Sequence, residues 1–90
     1  MKLHVLKIEN NYYSAVMQGR KRAEFRKDDR DFKEGDLIHF TNTLGNEYEG
    51  QFNLFIITHI LPCRNIFEDK NDYVVLSIEF YNTSDPRRNY

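Results

Sequence analysis

The sequence predicts an α+β domain: a small curled, mostly antiparallel β-barrel with one short N-terminal helix packed on it. Three observations lead there. Five or six stretches of the 90 residues read as extended, and one reads as a short helix. No β-α-β alternation sets up a parallel sheet. The loops are brief, and a chain of short strands manages its open edges most simply by rolling up. Ninety residues make one domain, placed at 1–81, with a polar C-terminal tail at 82–90 expected to be flexible.

The elements follow in order. Leu3 to Ile8 is apolar and contains β-branched residues, hence a first strand. Asn10 or Asn11 can cap a helix, because a short amide side chain accepts from orphan N–H groups. The i, i+4 pairs Tyr12/Val16 and Tyr13/Met17 give that helix a common side, and Gly19 stops it. Lys21–Lys27 alternates with period two and reads as a strand with Phe25 inward and its charges outward. Phe32 is the one large apolar residue of the charged loop Asp28–Gly35 and is expected to plug the core. Asp36–Thr41 alternates again, with Leu37 and His39 opposite Ile38 and Phe40. Leu44-Gly45-Asn46 is a turn signal. A further extended stretch begins at Tyr48 and continues after Gly50 as Phe52–Leu61. There, Leu54-Phe55-Ile56-Ile57 is apolar on both parities, as in a strand covered on both faces. Pro62 ends it. In the polar loop Arg64–Asp72, Ile66 and Phe67 are the expected anchors. Tyr73–Tyr81 is the last strand, with Val74, Leu76, Ile78 and Phe80 on one side.

Composition limits the function. The formal charge is −1, which argues against a broad polyanion-coating surface. The charge is uneven, however. Residues 1–27 hold seven basic side chains against two acids, a local +5; residues 28–90 hold six against twelve, a local −6. Cys63 is the only cysteine, which excludes an intrachain disulfide or a zinc ribbon. The N-terminal sequence lacks a signal-peptide pattern, and no apolar run is long enough to span a bilayer. A cytoplasmic protein with no membrane association is expected, with a monomer favoured. His4, His39 and His59 are scattered, so no metal site or other cofactor is expected.

The densest feature is Arg20–Asp36, with thirteen charged residues in seventeen positions. Within it, Gly19-Arg20-Lys21-Arg22-Ala23-Glu24-Phe25-Arg26 fits the pattern G-x-K-x-x-E-x-R. That pattern resembles the signature of ASCH domains, which share the PUA-like barrel. His4-Val5-Leu6-Lys7 and Tyr13-x-x-Val16 before it resemble small bacterial and phage ASCH-like proteins. So do Lys27–Asp36, Tyr48-x-Gly50 and Val75–Glu79 after it, and together they cover residues 4–80. The resemblance implies a cleft beside the helix and the motif strand that takes RNA, a nucleotide or a modified nucleoside. Some relatives are hydrolases with a Thr next to the catalytic Lys. No matching position here is Thr, so catalysis is left open.

The residue types suit that chemistry. Arg26 can hold a phosphate or carboxylate bidentately. Glu24, two positions away in a strand, shares its face and can orient Arg26, accept from a base amino group or shuttle a proton. Lys21 stands at the helix–strand junction as a phosphate contact. To act as base or nucleophile it would have to be partly neutral, and Arg20 and Arg22 oppose Glu24 in setting that. Gly19 permits close backbone approach. His4 and Lys7 fall on the family-like first strand, where His4 serves either as a cleft donor or as the partner of a neighbouring carboxylate. Arg30 is a further candidate cation. Tyr12, Tyr13, Tyr48 and Tyr81 are candidates for base stacking, Tyr13 foremost because its helix leads to Gly19. Three readings follow. The first is an RNA- or nucleotide-binding module using His4, Lys7, Tyr13, Gly19, Lys21, Glu24, Arg26 and Arg30. The second is a small hydrolase of RNA or a modified nucleoside, with Lys21 and Glu24 as acid/base groups. The third is a non-catalytic interaction module.

Overall fold

A computed structural model describes residues 1–50, 52–66, 69 and 71–81. It contains β1 (Leu3–Lys7), α1 (Asn10–Met17), β2 (Ala23–Lys27), β3 (Leu37–Thr41), β4 (Phe55–Pro62), a 3-10 turn (Cys63–Asn65) and β5 (Tyr73–Phe80). The strands form one sheet in the order β1-β3-β4-β5-β2. Only β1 and β3 run parallel; β3–β4, β4–β5 and β2–β5 are antiparallel. The β4–β5 register slips between Ile57 and His59, so Thr58 is a bulge.

The two ends of this sheet meet. β1 and β2 are opposite edges, yet the Arg26 guanidinium of β2 donates to the Lys7 carbonyl of β1 at 2.5 Å. The Arg30 guanidinium donates to the Val5 carbonyl at 3.0 Å. Lys2 O accepts from Leu37 N–H and Ile8 N–H donates to Thr41 O, so even-numbered β1 residues turn their backbone groups to β3. Odd-numbered Val5 and Lys7 therefore turn theirs to the open edge. The barrel closes there through arginine side chains rather than backbone pairing, which is the curled α+β architecture the strand pattern predicts.

The interior holds Leu6, Ile38, Phe40, Phe55, Ile57 and Leu76, none more than 2 % exposed. α1 lays Tyr13 and Val16 on this core. Phe32 plugs it from the loop, and the alternation of β3 and β5 is as expected. Phe55, Ile56 and Ile57 are all buried, in keeping with a strand covered on both sides. No helix of the described residues is long and apolar enough to cross a membrane.

Several local expectations need correction. The helix N-cap is Glu9, with no side-chain cap bond, and Asn10 and Asn11 lie inside α1. Tyr12 is half exposed, so the core face of α1 runs through Tyr13 and Val16, three apart, instead of Tyr12 and Val16. β2 has the opposite facing: Phe25 is exposed, while Glu24 is buried and Arg26 half-buried. Ion pairing reverses it, because Glu24 finds charge-assisted hydrogen bonds inside that Phe25 would not replace. The stretch from Tyr48 to Gly50 is a turn, with only Glu47 bridging Thr41. Ile66 is exposed and anchors nothing in the core. Phe67 and the tail at 82–90 lie outside the described residues.

Candidate ligand-binding cleft

Asn53 has no place in the sequence-based expectations, yet it organises the end of the barrel under α1. It is fully buried. Its Oδ1 accepts from Phe40 N–H at 2.7 Å and its Nδ2 donates to Phe40 O at 3.1 Å, so its amide imitates one rung of a β-ladder. Nδ2 also reaches Tyr13 Oη at 3.3 Å. The Tyr13 ring lies flat on Tyr48, with centroids 3.8 Å apart, and Tyr48 Oη donates to Ile8 O at 2.7 Å. Burial, outweighing the Asn53 hydrogen bond, raises the Tyr13 hydroxyl above its ordinary range. Tyr13 and Tyr48 are thus structural, and Tyr13 offers no open face to a base. A single Asn between Phe52 and Leu54 carries no sequence signal for this role.

His4 is likewise committed. Its ring is buried, tilts against Phe32 at 4.7 Å, and donates from Nε2 to Asp36 Oδ2 at 2.8 Å. Asp36 also accepts from the backbone N–H groups of Lys2 at 3.0 Å and Lys33 at 3.1 Å. Burial works to raise the Asp36 carboxyl, but these three donors win and hold it below the usual range. The pair closes the far end of β1 and pins the turn before β3, away from the cleft. Here the carboxylate-partner alternative for His4 describes the geometry.

At the α1–β2 junction the chain leaves the helix through Gly19, whose φ of 76° suits a residue without a Cβ. A Cβ built there would meet nothing within 4 Å, so the glycine borders open space. Lys21 follows, donating from Nζ to Ala23 O and to Glu24 Oε1, each at 2.5 Å. Glu24 Oε2 accepts from Arg26 Nε at 3.0 Å and from Nη2 at 2.7 Å. One carboxylate, 8 % exposed, thus lies between two cations that are each 24 % exposed. Of the residues named from sequence, Lys21, Glu24 and Arg26 form one ion-paired row. Lys7 joins it through its carbonyl, and Arg30 lies further along the same edge at Val5.

This row divides two concavities. The first, about 380 Å³, opens at the C-terminal end of α1. It is lined by Gly19, Lys21 and Arg22 of the helix exit and by Thr58, Ser77 and Glu79 of β4 and β5, with Phe55, Ile78 and Phe80 as apolar surface. The Thr58 bulge, held by its hydroxyl to Ser77 O at 3.3 Å, shapes the rim. Arg22 is braced by Nε donating to Gly19 O at 3.2 Å. The second concavity, about 290 Å³ and shallower, lies at the other end of the helix and takes in Lys7, Tyr12, Glu24, Phe25, Arg26 and Lys27. Arg22, Thr58, Ser77 and Phe80 were missed by sequence reasoning. The bulge that gathers three of them appears only in the β4–β5 register. Among the described residues no cluster of three His, Cys, Asp or Glu could hold a metal ion.

Comparison with known proteins places this geometry among unassigned relatives. A family model described as a domain of unknown function, DUF3850, matches residues 3–78. An uncharacterized 12.9 kDa protein in the GpA 3′ region of Escherichia phage P2 is 33 % identical over 75 residues. The match covers 83 % of this chain and spans about two thirds, 66 %, of the phage protein's length. The crystal structure of hypothetical protein PH0355 shares the fold, with a TM-score of 0.60 at 19 % identity over 90 % of this chain and 100 % of that one.

Proposed function

The chain belongs to the DUF3850 family, and from the geometry of the larger of the two concavities beside α1 we propose that it binds a nucleotide or a short single-stranded RNA segment there. The observation that carries this is the composition of the walls. Two cations, Lys21 and Arg22, and two hydroxyl side chains, Thr58 and Ser77, line a pocket in which Glu79 is the one acid and the phenyl ring of Phe80 is partly exposed. Cations and hydroxyls suit a phosphate and its sugar, and an aromatic face suits a base. The volume is at the small end for ligand pockets, matching one nucleotide better than a duplex. The resemblance of Gly19–Arg26 to the ASCH signature, and of the whole domain to PUA-like barrels, supports the same reading.

Binding suits the motif better than turnover does. Both Glu24 oxygens already accept charge-assisted hydrogen bonds, and Lys21 meets two acceptors as a donor. Groups so occupied hold a site in shape; a general base needs a free lone pair next to substrate. The test is titration with the four nucleoside monophosphates and with short RNA at several salt concentrations. Binding should weaken with salt by about 0.7 log units per decade for each phosphate contact, and Arg22→Gln should weaken it further. Absence of binding at low salt, or an affinity indifferent to salt and to Arg22→Gln, overturns the proposal.

A further inference from the structure

The second concavity extends the first. α1 has eight residues, about 12 Å of helix, and the two concavities lie at its opposite ends along β2. Between them runs the Lys21–Glu24–Arg26 row, whose ammonium and guanidinium groups are paired to Glu24 and are each 24 % exposed. At the far end Tyr12 is 50 % exposed and Phe25 is 54 % exposed. Phe25 is braced from behind by Tyr73, stacked at 4.9 Å and 9°. Lys7 and Lys27, both exposed, flank these rings. Glu9 is the one acid of the groove outside the ion-paired row.

Two half-exposed aromatic rings beside two lysines are costly to leave in water and are matched to a polyanion with flat bases. We infer that this groove holds the next part of a single-stranded nucleic acid whose first nucleotide occupies the larger concavity. Tyr12 and Phe25 stack a base, and Lys7 and Lys27 meet phosphates. The inference rests on the nucleotide reading of the larger concavity and names its substrate class as an oligonucleotide, because a mononucleotide does not span the length of α1.

The test compares the tetranucleotides rAAAA and rUUUU with AMP and UMP, on the wild-type chain and on Tyr12→Ala, Tyr12→Phe, Phe25→Ala and Phe25→Leu. The tetranucleotides should bind more tightly than the mononucleotides. Tyr12→Ala and Phe25→Ala should each cost about tenfold in tetranucleotide affinity and leave mononucleotide affinity unchanged. Tyr12→Phe should retain the affinity. Phe25→Leu keeps an apolar side chain over Tyr73 and should still lose it, which separates stacking from folding. Lys7→Gln with Lys27→Gln should flatten the salt dependence for the tetranucleotides alone. Tetranucleotides that bind no better than mononucleotides, or that ignore both ring deletions, overturn the groove and leave the nucleotide reading standing. Binding of neither ligand to the wild-type chain overturns both.

Discussion

Replacing Glu24 by Gln removes one negative charge from between two cations and leaves the side-chain shape almost unchanged. Glu24 is 8 % exposed, and it receives one hydrogen bond from Lys21 and two from Arg26. Breaking a fully buried pair from one side costs about 3–5 kcal/mol, because the remaining charge is stranded. Here the stranded cations are each 24 % exposed, so water screens part of the loss and about 2 kcal/mol is expected. For a domain of this size that lowers the melting temperature by about 8–16 °C. The assay is thermal and urea unfolding of the single and double variants, read by circular dichroism. Arg26 also bridges the sheet edges through Lys7 O, so Glu24→Gln should be less than additive with Arg26→Met. A loss under about 2 °C, together with strict additivity, refutes the view that this row holds the barrel edges together.

Gly19→Ala should cost about 1–2 kcal/mol in urea unfolding, because its φ of 76° is left-handed, and Gly19→Asn should recover part of it. Asn53→Ala should cost about 2–3 kcal/mol, since the Phe40 N–H and C=O would be buried without partners. Asp36 has a lowered folded value, so its contribution is complete above the ordinary 3.8 and is lost as pH falls through the lower folded value. Asp36→Asn should remove that part of the acid limb of a stability–pH curve. For His39, burial lowers the value, but Asn53 O at 2.7 Å and Glu47 Oε2 at 2.6 Å outweigh it. Both partners accept, so both ring nitrogens donate and the value rises. Its contribution is therefore complete below the ordinary 6.5 and fades as pH rises through the folded value. Glu47→Gln should bring the His39 titration, followed by NMR, back down.

What was legible in the sequence was what period and composition carry. β3 and β5 alternate cleanly because one face is buried, and the Phe55–Ile57 run is apolar throughout because both faces are covered. Gly19 was legible because a left-handed helix exit has few other solutions. β2 was misread for a reason that applies generally. Its alternation is equally strong in either sense, and hydropathy favours Phe25 inside. The outcome depends on Lys21 and Arg26 converging on Glu24, a three-body geometry invisible to a one-dimensional pattern. Likewise the cleft needed the Thr58 bulge, which sets Thr58 against Ser77 and exists only as a register slip between two strands. His4 and Tyr13 were found as notable residues, but their partners Asp36, Asn53 and Tyr48 are distant in sequence and decide their roles.

The strand order also constrains how the chain assembles. β2 has its backbone partner in β5, and the pairs Lys27–Tyr73 and Ala23–Ser77 are 46 and 54 positions apart. Strand β5 sits between β4 and β2, so neither can be completed until it is in place. During synthesis the positive stretch that ends at Lys27 therefore emerges early and waits with no neighbouring strand. Closing that long loop is entropically the hardest step, which puts the domain among the slower-folding topologies for its size.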